Sequence, residues 1–254
     1  MSTVTVFGLH AVRALLAHHP ERVRRLLVQQ GRQDRRAAEV ESLARAAGVP
    51  VAHRPGAELD RLSGEGAHQG AVAEVVPAEP LGEDDLAALV EAAGRDAFVL
   101  VLDGVQDPHN LGACLRTAEA AGVTAVVVPR DRACGLTPVA RKVAAGAAEI
   151  VPFVQVTNLV RCLEALKGQG LWVVGTEGEA EMDLYAADLA GPLAIVMGAE
   201  GRGMRRLTGE ACDLTLRLPM RGVTESLNVS VATGVVLYEA LRQRLAAAAV
   251  AKTL

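Results

Sequence analysis

A chain of 254 residues, half of them apolar, can bury at least one sizeable core and has the length for one or two domains. No stretch approaches the roughly 18 apolar residues of a membrane span, and the start, MSTVTVFGLHAVRALLAHH, lacks the charged and continuously apolar segments of a secretion signal. The net charge of −4 speaks against a nucleic-acid partner only until it is resolved along the chain.

Residues 1–76 carry ten Arg and no Lys against eight acids, a net +2. Arg-only usage suits phosphate and planar-base contacts, because the guanidinium is a rigid fork of donors; a general preference for Arg over Lys along the chain accounts for it equally well. Within this part the pattern predicts a helix over 8–18, a strand at RRLLVQQ, a helix near 33–47, and strands at VPVAHR and QGAVAEVV, together a small α/β domain. Residues 77–96, with a net charge of −5, begin PAEPLGEDD and read as an acidic linker leading into a short helix, DLAALVEAAG.

From residue 97 to 254, where the net charge is −1, near-continuous apolar runs alternate with helical stretches. Strands are expected at 98–102, 125–129, 150–154, 171–175, 193–198 and 214–219. Runs so uniformly apolar are covered on both faces, so the expectation is a parallel sheet between helix layers. A last helix over about 226–247 offers Leu227, Val231, Val235, Leu237 and Leu241 as its apolar positions. The four cysteines show no ligand spacing, which fits reduced thiols in a cytoplasmic protein and no metal site.

Ligands of open α/β sheets gather at the carboxyl ends of strands. Those ends here read DGVQDPHN, GTEGEA, MGAEGRGM and MRGVTESLNVS, and three of the four are rich in glycine, which lets backbone groups approach a ligand closely. A dinucleotide fingerprint is absent: GEGAHQG (64–70) has the wrong spacing and leads into a strand, and GAEGRG follows a late strand. No P-loop is present either. Taken singly, Asn110 reads as a helix cap, Glu200 as a solvated turn acid, and Ser226 and Asn228 as the first turn of the last helix.

Taken in order, DPHNLGACLRTAEAAGV, IVMGAEGRGM and LPMRGVTESLNVSVA resemble the three motifs of the SpoU/TrmH branch of the SPOUT methyltransferases, which methylate ribose 2′-hydroxyls of RNA. The likeness runs along the whole chain, and it is nearest to members acting on a guanosine in the peptidyl-transferase region of 23S rRNA. Other members, which modify tRNA or a different rRNA site, are the alternative. A protein that kept this fold only to bind RNA would be expected to lack Arg116 or Asn228, and both are present.

The resemblance implies a SPOUT domain with a deep trefoil knot, against the general avoidance of knots, over 97–254. It implies an RNA-binding domain over 1–76 and a homodimer formed through the C-terminal domain. S-adenosyl-L-methionine is implied as the cofactor, contacted by Gly198, Gly201, Leu218, Met220 and Leu227, with Thr176 and Gly178 near the adenine. Asn110, Arg116, Glu200, Ser226 and Asn228 are the implied catalytic residues. A ribose hydroxyl has a pKa far above neutral, so its attack needs help with a proton and with developing charge. Arg116 is the family's proposed activator. A guanidinium normally stays protonated, so stabilising charge suits it as well as acting as a base. Arg202 stands between the last two glycines of the second motif, a variation read as outside the chemistry.

Overall fold

The computed structural model describes residues 3–32, 34–64 and 67–251. They form two compact units, Met1–Glu79 with Ala145–Ile150, and Pro80–Ala144 with Val151–Leu254.

In the first unit the order is β1 (Val4–Phe7), α1 (Leu9–His18), β2 (Val23–Gln29), α2 (Arg35–Ala46), β3 (Val51–Arg54), α3 (Gly56–Ser63) and β4 (Ala71–Val75). The sheet order is β1-β4-β2-β3, with β4 antiparallel to both neighbours and β2 parallel to β3. One core joins Val12, Leu15 and Leu16 of α1 and Val40 of α2 to Leu26, Val28 and Ala73 of the sheet. A smaller one joins Leu59 of α3 to Leu27 and Val72. Helix α2 starts where it does because Asp34 accepts from the backbone N–H groups of Arg36 and Ala37, both at 3.1 Å. β1 and α3 are additions to the sequence expectation. β1 is four residues long, and α3 has only Leu59 and Leu62 to bury, too little for a periodic signal.

The second unit runs α4 (Glu83–Ala93), β5 (Phe98–Asp103), α5 (Pro108–Ala120), β6 (Ala125–Pro129), α6 (Pro138–Val143), β7 (Phe153–Val156), α7 (Leu159–Gly168), β8 (Trp172–Thr176), β9 (Met182–Asp183), β10 (Leu193–Gly198), α8 (Arg206–Glu210), β11 (Leu214–Arg217) and α9 (Val229–Ala251). Its strands lie in the order β7-β6-β5-β10-β8-β11-β9, and every registered pair is parallel. β5 and β6 are buried at every residue, as two-sided cover requires.

The segment read as linker and short helix divides. From Pro80 it belongs to the second unit, where Leu86 and Val90 of α4 join the core with Val154, Val156 and Leu163. Its acids follow from the helix: Glu83, Asp84 and Asp85 occupy the first turn of α4, where the helix dipole favours them, and Asp85 accepts from the Gly82 N–H at 2.8 Å. The strand expected at 150–154 begins three residues later, because Ala147–Glu149 forms a helical turn that ends at Ile150.

The last helix also starts later than its sequence suggests. Asn228 Oδ1 accepts from the Ser230 N–H at 3.0 Å, capping α9 and leaving 226–228 in the preceding loop. Its buried face is Thr233, Val236, Leu237 and Ala240, whereas Val231 is 54% exposed. All four cysteines are free thiols. Burial pushes Cys114 up to about 11, and Cys162 and Cys212 up to about 12. Among the described residues no helix is long and apolar enough to cross a membrane.

Candidate active site

Because β5, β8, β10 and β11 are mutually parallel, the loops after them leave the same edge of the sheet. β5 ends on Asp103, whose carboxylate is buried, and Gly104 follows at φ 84°. Asp107 then caps α5, accepting from the His109 and Asn110 N–H groups at 3.2 and 3.3 Å, and Pro108 takes the first helical position. The cap is therefore Asp107, and Asn110 is free to point its amide elsewhere.

β10 ends on Gly198, against which the chain folds straight back. A Cβ on Gly198 would lie 2.2 Å from the Gly203 carbonyl carbon and 2.3 Å from the Met204 nitrogen. Ala199 and Gly203 exchange backbone hydrogen bonds of 3.0 and 2.9 Å, and Gly201 and Gly203 take φ of 73° and 64°. This tight loop carries Glu200. It is tied to β5 by Arg205, whose backbone N–H and Nε donate to Asp103 at 2.8 and 2.6 Å.

Three side chains from distant segments meet here. Asn110 Nδ2 donates to Glu200 Oε2 at 3.3 Å. Asn228 Nδ2 donates to Asn110 Oδ1 at 3.0 Å and to Glu200 Oε2 at 3.5 Å. Ser230 Oγ donates to Asn228 Oδ1 at 2.6 Å, which fixes the orientation of that amide.

Beside this cluster lies a cavity of about 430 Å³, within the range of small-ligand sites. Thr176, Gly178, Gly198, Gly201, Leu218, Met220 and Leu227 all line it, together with Ser226 and Glu200. Ser226 thus faces the cavity without joining the hydrogen-bonded cluster. A second cavity of about 400 Å³ is lined by Asn110, Asp107, Arg132, Arg202 and Arg205 and shares Ala199, Glu200, Gly203 and Val229 with the first.

Arg116 lines neither cavity. It is exposed on α5, and its side chain makes no hydrogen bond or ion pair among the described residues. Six residues beyond Asn110, it lies roughly 9 Å further along the helix and about 120° around it. The small residues near it serve packing. A Cβ on Gly112 would sit 2.6 Å from the Ala140 carbonyl oxygen of α6, and Cys114 meets Thr233 of α9 at 3.5 Å.

Sequence reasoning missed Ser230, the Asp103–Arg205 clasp and the cationic lining of the second cavity. For Asp103 there was a signal, a lone acid closing an otherwise apolar strand. Among the described residues no group of three His, Cys, Asp or Glu is placed to hold a metal ion.

Known proteins divide the chain in a similar way. The SpoU rRNA Methylase family matches residues 97–238, and the family described as RNA 2′-O ribose methyltransferase substrate binding matches residues 5–81. A Pseudomonas putida protein named 23S rRNA (guanosine-2′-O-)-methyltransferase RlmB is 57% identical, over 94% of this chain and 96% of its own. Its Pseudomonas aeruginosa namesake is 58% identical over the same shares. Among solved structures, the SpoU methyltransferase AviRb from Streptomyces viridochromogenes, in complex with AdoMet, superimposes with a TM-score of 0.71 at 25% identity, covering 96% of this chain and 91% of that one. From its sequence and its fold, the chain belongs to the SpoU rRNA methylase family.

Proposed function

We propose that this protein transfers a methyl group from S-adenosylmethionine to the ribose 2′-hydroxyl of a guanosine in 23S rRNA, the activity for which its relatives are named. The observation that carries the reading is the meeting of Asn110, Glu200 and Asn228 at the rim of a cavity of cofactor size.

The cavity suits the cofactor chemically. Leu218, Met220 and Leu227 give it apolar surface, and the glycines expose backbone donors and acceptors. S-adenosylmethionine supplies an electrophilic methyl on a sulfonium. Everything else falls to the chain. Asn228 and Glu200 lock the amide of Asn110, so that it presents a fixed donor to an incoming ribose. Glu200 Oε2 is occupied by the two asparagines, while Oε1 has no partner among the described residues and can accept the hydroxyl hydrogen. A carboxylate suffices there. As the oxygen bonds the methyl carbon and the carbon–sulfur bond breaks, releasing a neutral thioether, the hydroxyl would become strongly acidic and its proton would pass to Oε1.

Arg116 stays protonated and supplies positive charge near the attacking oxygen. It lines neither of the two cavities in its own chain, so the reading gives it to the site of a second protomer. α5 packs on α9, where Val231, Tyr238 and Leu245 are exposed at intervals of seven residues, an apolar stripe suited to a second copy of this unit. The same reading carries a knotted C-terminal domain, an RNA-binding role for residues 1–76 and a place in the cytoplasm, where rRNA is modified.

Deleting the gene and mapping 2′-O-methylation along the rRNA tests the proposal. A single guanosine should lose its methyl group and regain it from a plasmid copy, but not from one encoding Asn228→Ala. An unchanged methylation pattern in the deletion strain refutes it.

A further inference from the structure

We propose that Arg132 and Arg202 together grip a backbone phosphate of the RNA strand beside the reacting ribose, making the second cavity the RNA side of the site. The inference rests on the methyltransferase reading and adds to it a substrate-holding pair.

The loops after β6 and β10 converge on Gly104. The space where its Cβ would stand is bounded by Ala199 Cβ at 3.7 Å and the Arg132 carbonyl oxygen at 3.8 Å. Arg132 takes φ 60°, a left-handed backbone that disfavours any residue with a Cβ. Around the same cavity, Gly104 and Gly203 answer that demand with glycine. An arginine held in this backbone at the edge of a cavity points to a use for its side chain there.

Charge accounting along the lining singles out the same two residues. Asp103 is committed to Arg205 and Asp107 to the N-terminus of α5, while Glu200 bonds the two asparagines through Oε2 and keeps its charge. The guanidinium groups of Arg132 and Arg202 are exposed and make no side-chain hydrogen bond or ion pair among the described residues. Two free planar forks on one cavity match a phosphodiester, which offers paired oxygens. Since this cavity shares Glu200 with the cofactor-sized one, a phosphate held there leaves the neighbouring ribose at Asn110.

The test uses the full-length protein with Arg132→Gly, Arg202→Ala and the double variant. Glycine relieves the backbone at position 132, so loss of folding is not the expected cause of an effect. Single-turnover methylation of an rRNA fragment is followed against RNA concentration at several salt concentrations, beside calorimetric titration of S-adenosylmethionine. Each single variant should weaken RNA binding about tenfold, the scale of one charge-assisted contact. The log–log salt slope should fall by about 0.7–0.9 for each contact removed. Cofactor affinity should stay at its wild-type value, and Arg132→Lys should restore the slope but only part of the affinity. Wild-type RNA affinity and slope in the double variant overturn the inference while leaving the methyltransferase reading intact. Loss of cofactor affinity also overturns it, by placing the arginines on the cofactor's carboxylate. Failure of the wild type itself to methylate RNA sinks both.

Discussion

Replacing Gly198 by alanine probes the loop that carries Glu200. The added Cβ would lie 2.2 Å from the Gly203 carbonyl carbon, 2.3 Å from the Met204 nitrogen and 2.6 Å from the Gly203 oxygen, all backbone atoms. Ordinary contact begins near 3.4 Å, so 199–204 must retreat by about 1 Å, straining the Ala199–Gly203 hydrogen bonds. Overpacking of this kind costs about 1–3 kcal/mol. Its larger effect should be on chemistry, because displacing a positioned group by about 1 Å can cost about 10²-fold in rate. Glu200 moves with the loop and Gly198 lines the cofactor-sized cavity, so both cofactor affinity and turnover should fall. Thermal denaturation, calorimetric titration and single-turnover methylation separate the effects. Gly178→Ala is the control for folding, since a Cβ there meets no atom within 4 Å. Wild-type cofactor affinity and rate in Gly198→Ala would refute the claim that this fold-back positions the site.

Asn228→Ala should slow methyl transfer about 10²-fold and, by uncapping α9, cost about 1 kcal/mol of stability. Asn228→Asp keeps the acceptor for the Ser230 N–H but sets a carboxylate oxygen against Asn110 Oδ1 and Glu200 Oε2, so its rate should fall even with the cap retained. Mixing inactive Arg116→Ala and Asn228→Ala proteins should, after subunit exchange, restore about one quarter of wild-type activity if Arg116 serves the partner's site in a two-fold dimer; no restoration places Arg116 in its own chain's site. Arg242, and then Gln243, hold the Glu239 carboxyl at about 2, well below its ordinary 4.5. The stability it contributes is therefore present above pH 4.5 and lost as pH falls toward about 2. Melting curves across that window should flatten in Glu239→Gln, and equal acid sensitivity in both proteins would show that the pair contributes nothing.

The strands at 98–102, 125–129 and 193–198 were legible because a parallel sheet covered on both faces needs unbroken apolar runs. β9, with two residues, and α3, with two apolar anchors, left no such trace. The strand at 150–154 misled because Ile150 and Val151 extend the apolar run although the backbone there is still leaving a helical turn. Motif wording picked out residues that line one cavity, since Thr176, Gly198 and Leu218 sit at or just beyond strand ends that the apolar pattern marks. It could not locate contacts made across the chain. Asp103 and Arg205 are 102 residues apart, and nothing local in either segment announces the other. Nor does the pattern say which way Arg116 points, which depends on α5 packing against α6 and α9.

Incubating the purified full-length protein with methyl-labelled S-adenosylmethionine and 23S rRNA from a strain lacking the gene tests the central claim most directly. Nuclease digestion and mass spectrometry then identify the product. The predicted result is 2′-O-methylguanosine at a single position, formed by the wild type and nearly abolished in Asn228→Ala. Label on a base rather than a ribose, or no label on this RNA, would contradict it.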